Sequence, residues 1–157
     1  MINLDMIFLF GNLCVDVNLW HRKEKVFKKI IAVFDTGAHT THIDTDMLGR
    51  LGYELDGAEM SYVNTVGNNN LQVNNTVIDN IKIGEFELGA AMVNFSELPL
   101  HFPVILGLNI IKEFNINLDF KNEIISLTPN FDANGIISAD NFSKHGSRFG
   151  MWTVQGI

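Results

Sequence analysis

Asp35 is the residue of this chain best placed to do chemistry. It follows the apolar run Ile30-Ile31-Ala32-Val33-Phe34 and opens the turn Asp35-Thr36-Gly37-Ala38. A buried strand that ends on a carboxylate presents an acid–base group at the strand end. Gly37 lets the backbone turn sharply and lets a substrate approach closely. Cleaving an amide without a metal needs a water made nucleophilic and a carbonyl made electrophilic. Two carboxylates sharing one proton can do both, because adjacent negative charges repel and one of the pair stays protonated. The chain carries a single loop of this kind, so it supplies half of such a device. An ordinary Asx turn uses the same residue types, and what surrounds the turn must decide between the two.

Other reactive residues carry weaker signals. His39-Thr40-Thr41-His42, with Asp44 or Asp46 nearby, invites a metal reading. The spacing of three suits one face of a helix, but this stretch reads as a strand leaving the turn, which separates the two rings, and no Cys or Glu joins them. No metal and no cofactor is expected; a metal-dependent hydrolase is the remote alternative. Cys14 is the lone cysteine and sits between Leu13 and Val15, as a buried structural thiol would. Asp119 lies between Leu118 and Phe120 with no Thr-Gly or Ser-Gly turn after it, so it reads as a polar strand residue rather than a second acid.

The elements that must position Asp35 read as many short strands with two short helices. Phe8–Leu19 reads as one strand, residues 21–25 as a charged turn and Val26–Phe34 as the return strand. A helix over Thr45–Gly52 has Asp44 or Thr45 to cap it and Gly52 to stop it. Met60–Val66 and Leu71–Ile78 flank the polar tip Gly67-Asn68-Asn69-Asn70 and predict a hairpin. Asn80–Ile83 and Phe86–Val93 predict another. The buried strand Val104–Leu106 meets Gly107, a short helix follows over Leu108–Phe114, and strands follow at Asn115–Phe120 and Glu123–Leu127. This pattern predicts a mainly β fold, a partly closed barrel rather than a parallel sheet.

Composition sets outer limits. A length of 157 residues suits one domain. The apolar share of 46% marks a chain that buries a core. The net charge of −7 argues against nucleic acid as a main partner, because phosphate binding wants a basic face. The opening Met1–Phe10 has no basic leader and is interrupted by Asp5. Its apolar run Met6–Phe10 is too short for a signal core or a membrane span. A cytoplasmic protein with no membrane partner is expected, and a single cysteine fits a reducing compartment.

Taken together, these motifs resemble the retropepsin-like aspartic proteases, in particular their single-domain bacterial type. Three features match in order: Phe34-Asp35-Thr36-Gly37-Ala38 followed by a helix; the hairpin Tyr62–Val77 in the position of the family's flap; and Val104-Ile105-Leu106-Gly107-Leu108-Asn109, a helix, then Ile116-Asn117-Leu118-Asp119-Phe120. They cover roughly residues 7–128. The resemblance implies a retropepsin-like acid-protease fold with one lobe per chain. It also implies a homodimer in which each chain supplies one Asp, and an endopeptidase acting on a peptide or protein substrate. Asp35 is then the catalytic acid. Thr36 bonds across the dimer axis, Gly37 and Ala38 shape the loop, and Gly107 supports it. His39 and the flap residues Val63, Thr65, Val66 and Gly67 are the expected substrate contacts. Retroviral members usually carry Asp at the position of His39 and Arg at that of Leu108, a charged pair missing here, so substrate is held differently at this place.

Residues 1–128 form the expected protease domain and 129–157 a C-terminal extension. The extension, with its cluster Phe149-Gly150-Met151-Trp152, suits three roles: a strand in a dimer interface, a cover for the core, or a segment that occupies the cleft. The alternative to a protease is a peptide-binding or scaffolding module on the same fold, with weak or no hydrolysis.

Overall fold

Period-two alternation of apolar and polar residues builds most of the architecture. The computed structural model describes residues 1–65, 68–98 and 101–130. Their elements are β1 (Ile2–Asp5), β2 (Ile7–Leu9), β3 (Asn12–His21), β4 (Val26–Phe34), β5 (His42–Asp44), α1 (Thr45–Arg50), β6 (Glu59–Thr65), β7 (Asn68–Ile83), β8 (Phe86–Ser96), β9 (Val104–Leu106), α2 (Leu108–Ile111), β10 (Phe114–Asp119) and β11 (Ile124–Pro129). The fold is mainly β with two short helices, as the sequence pattern predicts.

Eight strands form one sheet in the order β2-β3-β4-β9-β5-β8-β7-β6. It curls until β7 meets β3 again at Asn18↔Lys82 and Leu19↔Ile81, giving a ring that is only partly closed. A smaller sheet, β1-β11-β10, pairs the first and last described strands antiparallel. On β3, Val15, Val17 and Leu19 point into the core while Asp16 and Asn18 face outward. Ala32, Ile43, Val93, Val104 and Leu106 from the neighbouring strands, Ile110 from α2, and Ile125 and Leu127 from β11 complete the same core. β7 contributes Ile78, Ile81 and Ile83. Its register shifts between Ile78 and Ile81, which lets residues an odd number apart face the same way.

α1 is short and held at both ends. The Asp44 carboxylate caps it, accepting from the Asp46 N–H (3.1 Å) and also from the Leu98 N–H (2.9 Å). Beyond its C-terminus, the Tyr53 hydroxyl donates to Trp20 O (2.9 Å) and accepts from the Asp79 N–H (3.0 Å). Arg22 makes a two-point contact with the Asp79 carboxylate (2.9 and 2.8 Å) and lies 4.4 Å from the centre of the Tyr53 ring. Hydrogen bonding to the Arg22 guanidinium holds the Asp79 carboxyl below its ordinary value.

Several sequence boundaries shift for local backbone reasons. Phe8–Leu19 is two strands rather than one. Phe10 (φ +50) and Gly11 (φ +77) form a two-residue turn between β2 and β3, of the kind whose central residues are both left-handed. Asn80–Ile83 is no separate strand but the end of β7. Asn68, Asn69 and Asn70 belong to β7 rather than to a hairpin tip, since Asn68 already pairs with Thr65. The second helix stops at Ile111, because Phe114 is needed in β10 opposite Pro129. Of the expected C-terminal extension, residues 131–157 lie outside the described residues. Among the described residues no helix is long and apolar enough to cross a membrane.

Candidate active site

Asp35 stands at the end of β4, where the parallel pairing with β9 continues one step past the strand. Ala32, Val33 and Phe34 pair with Val104, Ile105 and Leu106, and the Asp35 N–H then donates to Leu106 O (3.1 Å). The strand therefore delivers the carboxylate to a fixed point above the core. The turn closes on the same residue. The Gly37 N–H donates to Asp35 Oδ1 (2.8 Å) and the Ala38 N–H to Asp35 O (3.3 Å). A Cβ at Gly37 would come within 3.1 Å of Asp35 Oδ1, so a side chain there would crowd the carboxylate. Oδ2 has no hydrogen-bond partner among the described residues, leaving one carboxylate oxygen for proton exchange. Asp35 and Ala38 are partly buried, whereas Thr36 and Gly37 are exposed.

The Gly107 segment locks the loop from below. Leu108 N–H donates to Ala38 O (2.8 Å) and Asn109 N–H to His39 O (3.1 Å). Gly107 has no alternative residue here. An added Cβ would lie 2.6 Å from Thr40 C and 2.7 Å from Thr41 N, both backbone atoms that cannot move aside cheaply. The Gly107 segment thus packs directly against the backbone of the Asp35 loop.

Asn109 has a structural role that its sequence context does not suggest. It is 0% exposed, as is Thr41. Its Oδ1 accepts from both the Thr41 N–H and the Thr41 hydroxyl (2.8 Å each), and its Nδ2 donates to Met92 O (3.0 Å). The Thr41 hydroxyl in turn accepts from the Gly107 N–H (3.0 Å). A buried polar group is costly unless it is paired, and this network pairs its members across three segments: the loop, β8 and α2. The only local signal is a single Asn inside the apolar run Leu106–Ile111.

The two histidines separate. His39 is exposed at the end of the loop. His42 is in β5, where its Nε2 lies 2.8 Å from Ser96 Oγ. Burial pushes the His42 imidazole below its ordinary value, and Asp44 opposes that shift only in part. Among the described residues no group of three or more His, Cys, Asp or Glu side chains is arranged to hold a metal. Cys14 is buried in β3, and burial pushes its thiol upward, away from the reactive thiolate. Asp119 accepts from the N–H and side-chain amide of Asn122 (3.0 and 2.7 Å), closing the β10–β11 turn.

The expected flap is the β6–β7 hairpin at the edge of the large sheet. Val63 is partly buried in β6, and the Val63–Thr65 stretch carries a register irregularity. Val66 and Gly67 lie outside the described residues.

The family model described as "gag-polyprotein putative aspartyl protease" matches residues 27–113, a span that contains the Asp35 loop and the Gly107 element together. The chain belongs to this family. A retropepsin-like aspartic protease from Rickettsia conorii, known from its crystal structure, has a similar fold. The two superpose with a TM-score of 0.58 at 18% sequence identity, covering 80% of this chain and 88% of that one. At that identity the likeness concerns the fold alone. No curated protein matches the chain significantly. As a retropepsin-like aspartyl protease chain, it keeps the loop and its support while holding them with Asn109 and Thr41, and without the charged pair expected of retroviral members at His39 and Leu108.

Proposed function

We propose that this chain is a homodimeric aspartic endopeptidase in which two copies of Asp35 face one another. The observation that carries this reading is the loop itself: a strand-end carboxylate pinned by Leu106 O and the Gly37 N–H, with Oδ2 unbonded among the described residues. One carboxylate accepts a proton from water while the other donates its proton to the scissile carbonyl oxygen. Water oxygen bonds to the carbonyl carbon and a tetrahedral diol forms. The diol then collapses, the C–N bond breaks, and the leaving amine takes up a proton. Thr36, exposed beside Asp35, is placed in this reading against its counterpart on the two-fold axis, and Ala38 walls the cleft. The β6–β7 hairpin covers an extended peptide through Val63, Thr65, Val66 and Gly67 and excludes water. His39 offers an imidazole donor to the substrate backbone where a charged pair is missing. The buried thiol and the lack of cysteine pairs suit a reducing, cytoplasmic setting.

Asp35→Asn tests the chemistry. Cleavage of a randomised peptide library is expected to vanish, while thermal stability and sedimentation behaviour stay those of the parent. Cleavage that survives the substitution would remove Asp35 from the mechanism. A parent chain that retains peptides, stays monomeric and cleaves none of them would instead be a binding module on a protease fold.

A further inference from the structure

An open groove of about 630 Å³ lies between α1 and the chain that enters β9. Its apolar floor is made by Met47, Leu98, Pro103 and the buried Phe102. Backbone bonds tie its sides together. The Asp44 N–H donates to Pro103 O (2.8 Å), and the Asp44 carboxylate accepts from the Leu98 N–H (2.9 Å). Phe10, 74% exposed, stacks on the groove residue His101 with centroids 4.7 Å apart and extends the apolar surface at this edge. The rim is acidic. Both Asp44 oxygens accept from backbone N–H groups, whereas Asp46 and Glu97 are exposed and have no ion-pair partner among the described residues. Arg50 offsets one of these three carboxylates, so the groove stays negative even with His101 protonated. An apolar floor under uncompensated carboxylates suits a ligand that carries aromatic side chains and cations close together.

The chain itself contains such a segment, outside the described residues. Residues 141–157 carry Lys144 and Arg148 and no Asp or Glu, with Phe142, Phe149, Met151 and Trp152 among them. In a chain of net charge −7, this stretch stands apart as basic and aromatic. Its tether is long enough. Asn130 is fixed beside the end of α2 by bonds to Glu113 O (2.8 Å) and Lys112 O (3.2 Å). Residues 131–143, at about 3.3 Å each, span up to about 43 Å. A folded body of this size is about 36 Å across.

We propose that the segment 141–157 docks into this groove of its own chain, with Lys144 and Arg148 meeting the Asp46 and Glu97 carboxylates and an aromatic side chain resting on the Met47–Phe102 floor. Burial of an aromatic ring supplies most of the affinity. The exposed charge pairs add less and set the orientation. The docking does not depend on peptide cleavage, so it stands or falls separately from the protease reading.

Amide hydrogen exchange of the full chain, followed by mass spectrometry, reads the docking without turnover. In the parent, amides of 141–157 are expected to exchange about tenfold more slowly than those of a synthetic peptide of the same sequence. Charge reversal in the groove, Asp46→Lys with Glu97→Lys, should bring them to the free-peptide rate. Reversal in the segment, Lys144→Glu with Arg148→Glu, should do the same, and all four substitutions together should restore the protection. Trp152→Ala leaves every charge in place and should also weaken it. Exchange of the β3 and β4 amides in the same spectra shows that the body of each variant is folded. Peptide-like exchange in the parent would overturn the proposal, as would protection that neither reversal lowers or that the fourfold variant fails to regain. Protection that disappears on dilution would put the segment on a second copy and overturn docking within one chain.

Discussion

Asn109 shows how much of the site depends on a residue that does no chemistry. Its amide ties Thr41 to Met92, and Thr41 reaches Gly107, so one side chain sets the height of the loop that carries Asp35. Replacing it with Leu keeps the volume but leaves the buried Thr41 N–H and hydroxyl proton without their acceptor. The expected loss is about 2–3 kcal/mol of stability, read as a drop of about 5–10 °C in melting temperature. Unchanged stability would mean that water or a shifted backbone satisfies both groups. The strand ends at Asp35 and Gly107 are legible in the sequence, because an apolar run breaking at Asp-Thr-Gly or at a lone Gly is a local signal. Asn109 is not, because its partners are far away along the chain and only the fold brings them together.

At the level of the element, β5 is a three-residue strand wedged between β9 and β8, and it connects the Asp35 loop to α1. His42 makes that wedge sensitive to acid. Its folded value lies below the ordinary 6.5 because burial disfavours the cation. The unfolded chain therefore binds more protons in the window from 6.5 down to the depressed value. Stability rises with pH through that window and is lost as pH falls below 6.5, by at most about 1.4 kcal/mol per pH unit. His42→Gln, which keeps a hydrogen-bonding side chain beside Ser96, is expected to flatten this slope in urea midpoints taken at pH 7.5 and pH 5; an equally steep slope would assign it to other groups. The strands with clean alternation or continuous apolar runs are readable, β4 to the residue. The β2–β3 break is not, because Phe10 belongs to an apolar run and nothing about its side chain announces a positive φ. The unity of β7 is equally hidden, since a bulge lets one strand imitate two.

For the whole molecule, the proposed catalysis by a carboxylate pair would tie activity to assembly. Each chain carries a net charge of −7, so two copies would repel at low salt. Specific activity is expected to rise with protein concentration and, at fixed concentration, to rise between about 0.05 and 0.5 M salt. If it stays flat while sedimentation shows dissociation to monomers, pairing is not needed. The topology adds a constraint in time. β1 is synthesised well before its partner β11, with Ile2 against Leu127 and Asp5 against Ile124. Closing so large a loop is entropically slow, and contacts this distant in sequence form late. During synthesis the curled eight-stranded sheet can begin to assemble while β1 still waits unpaired. The small sheet then closes once β11 is available, making β1 a late strand to be protected from proteolysis or mispairing.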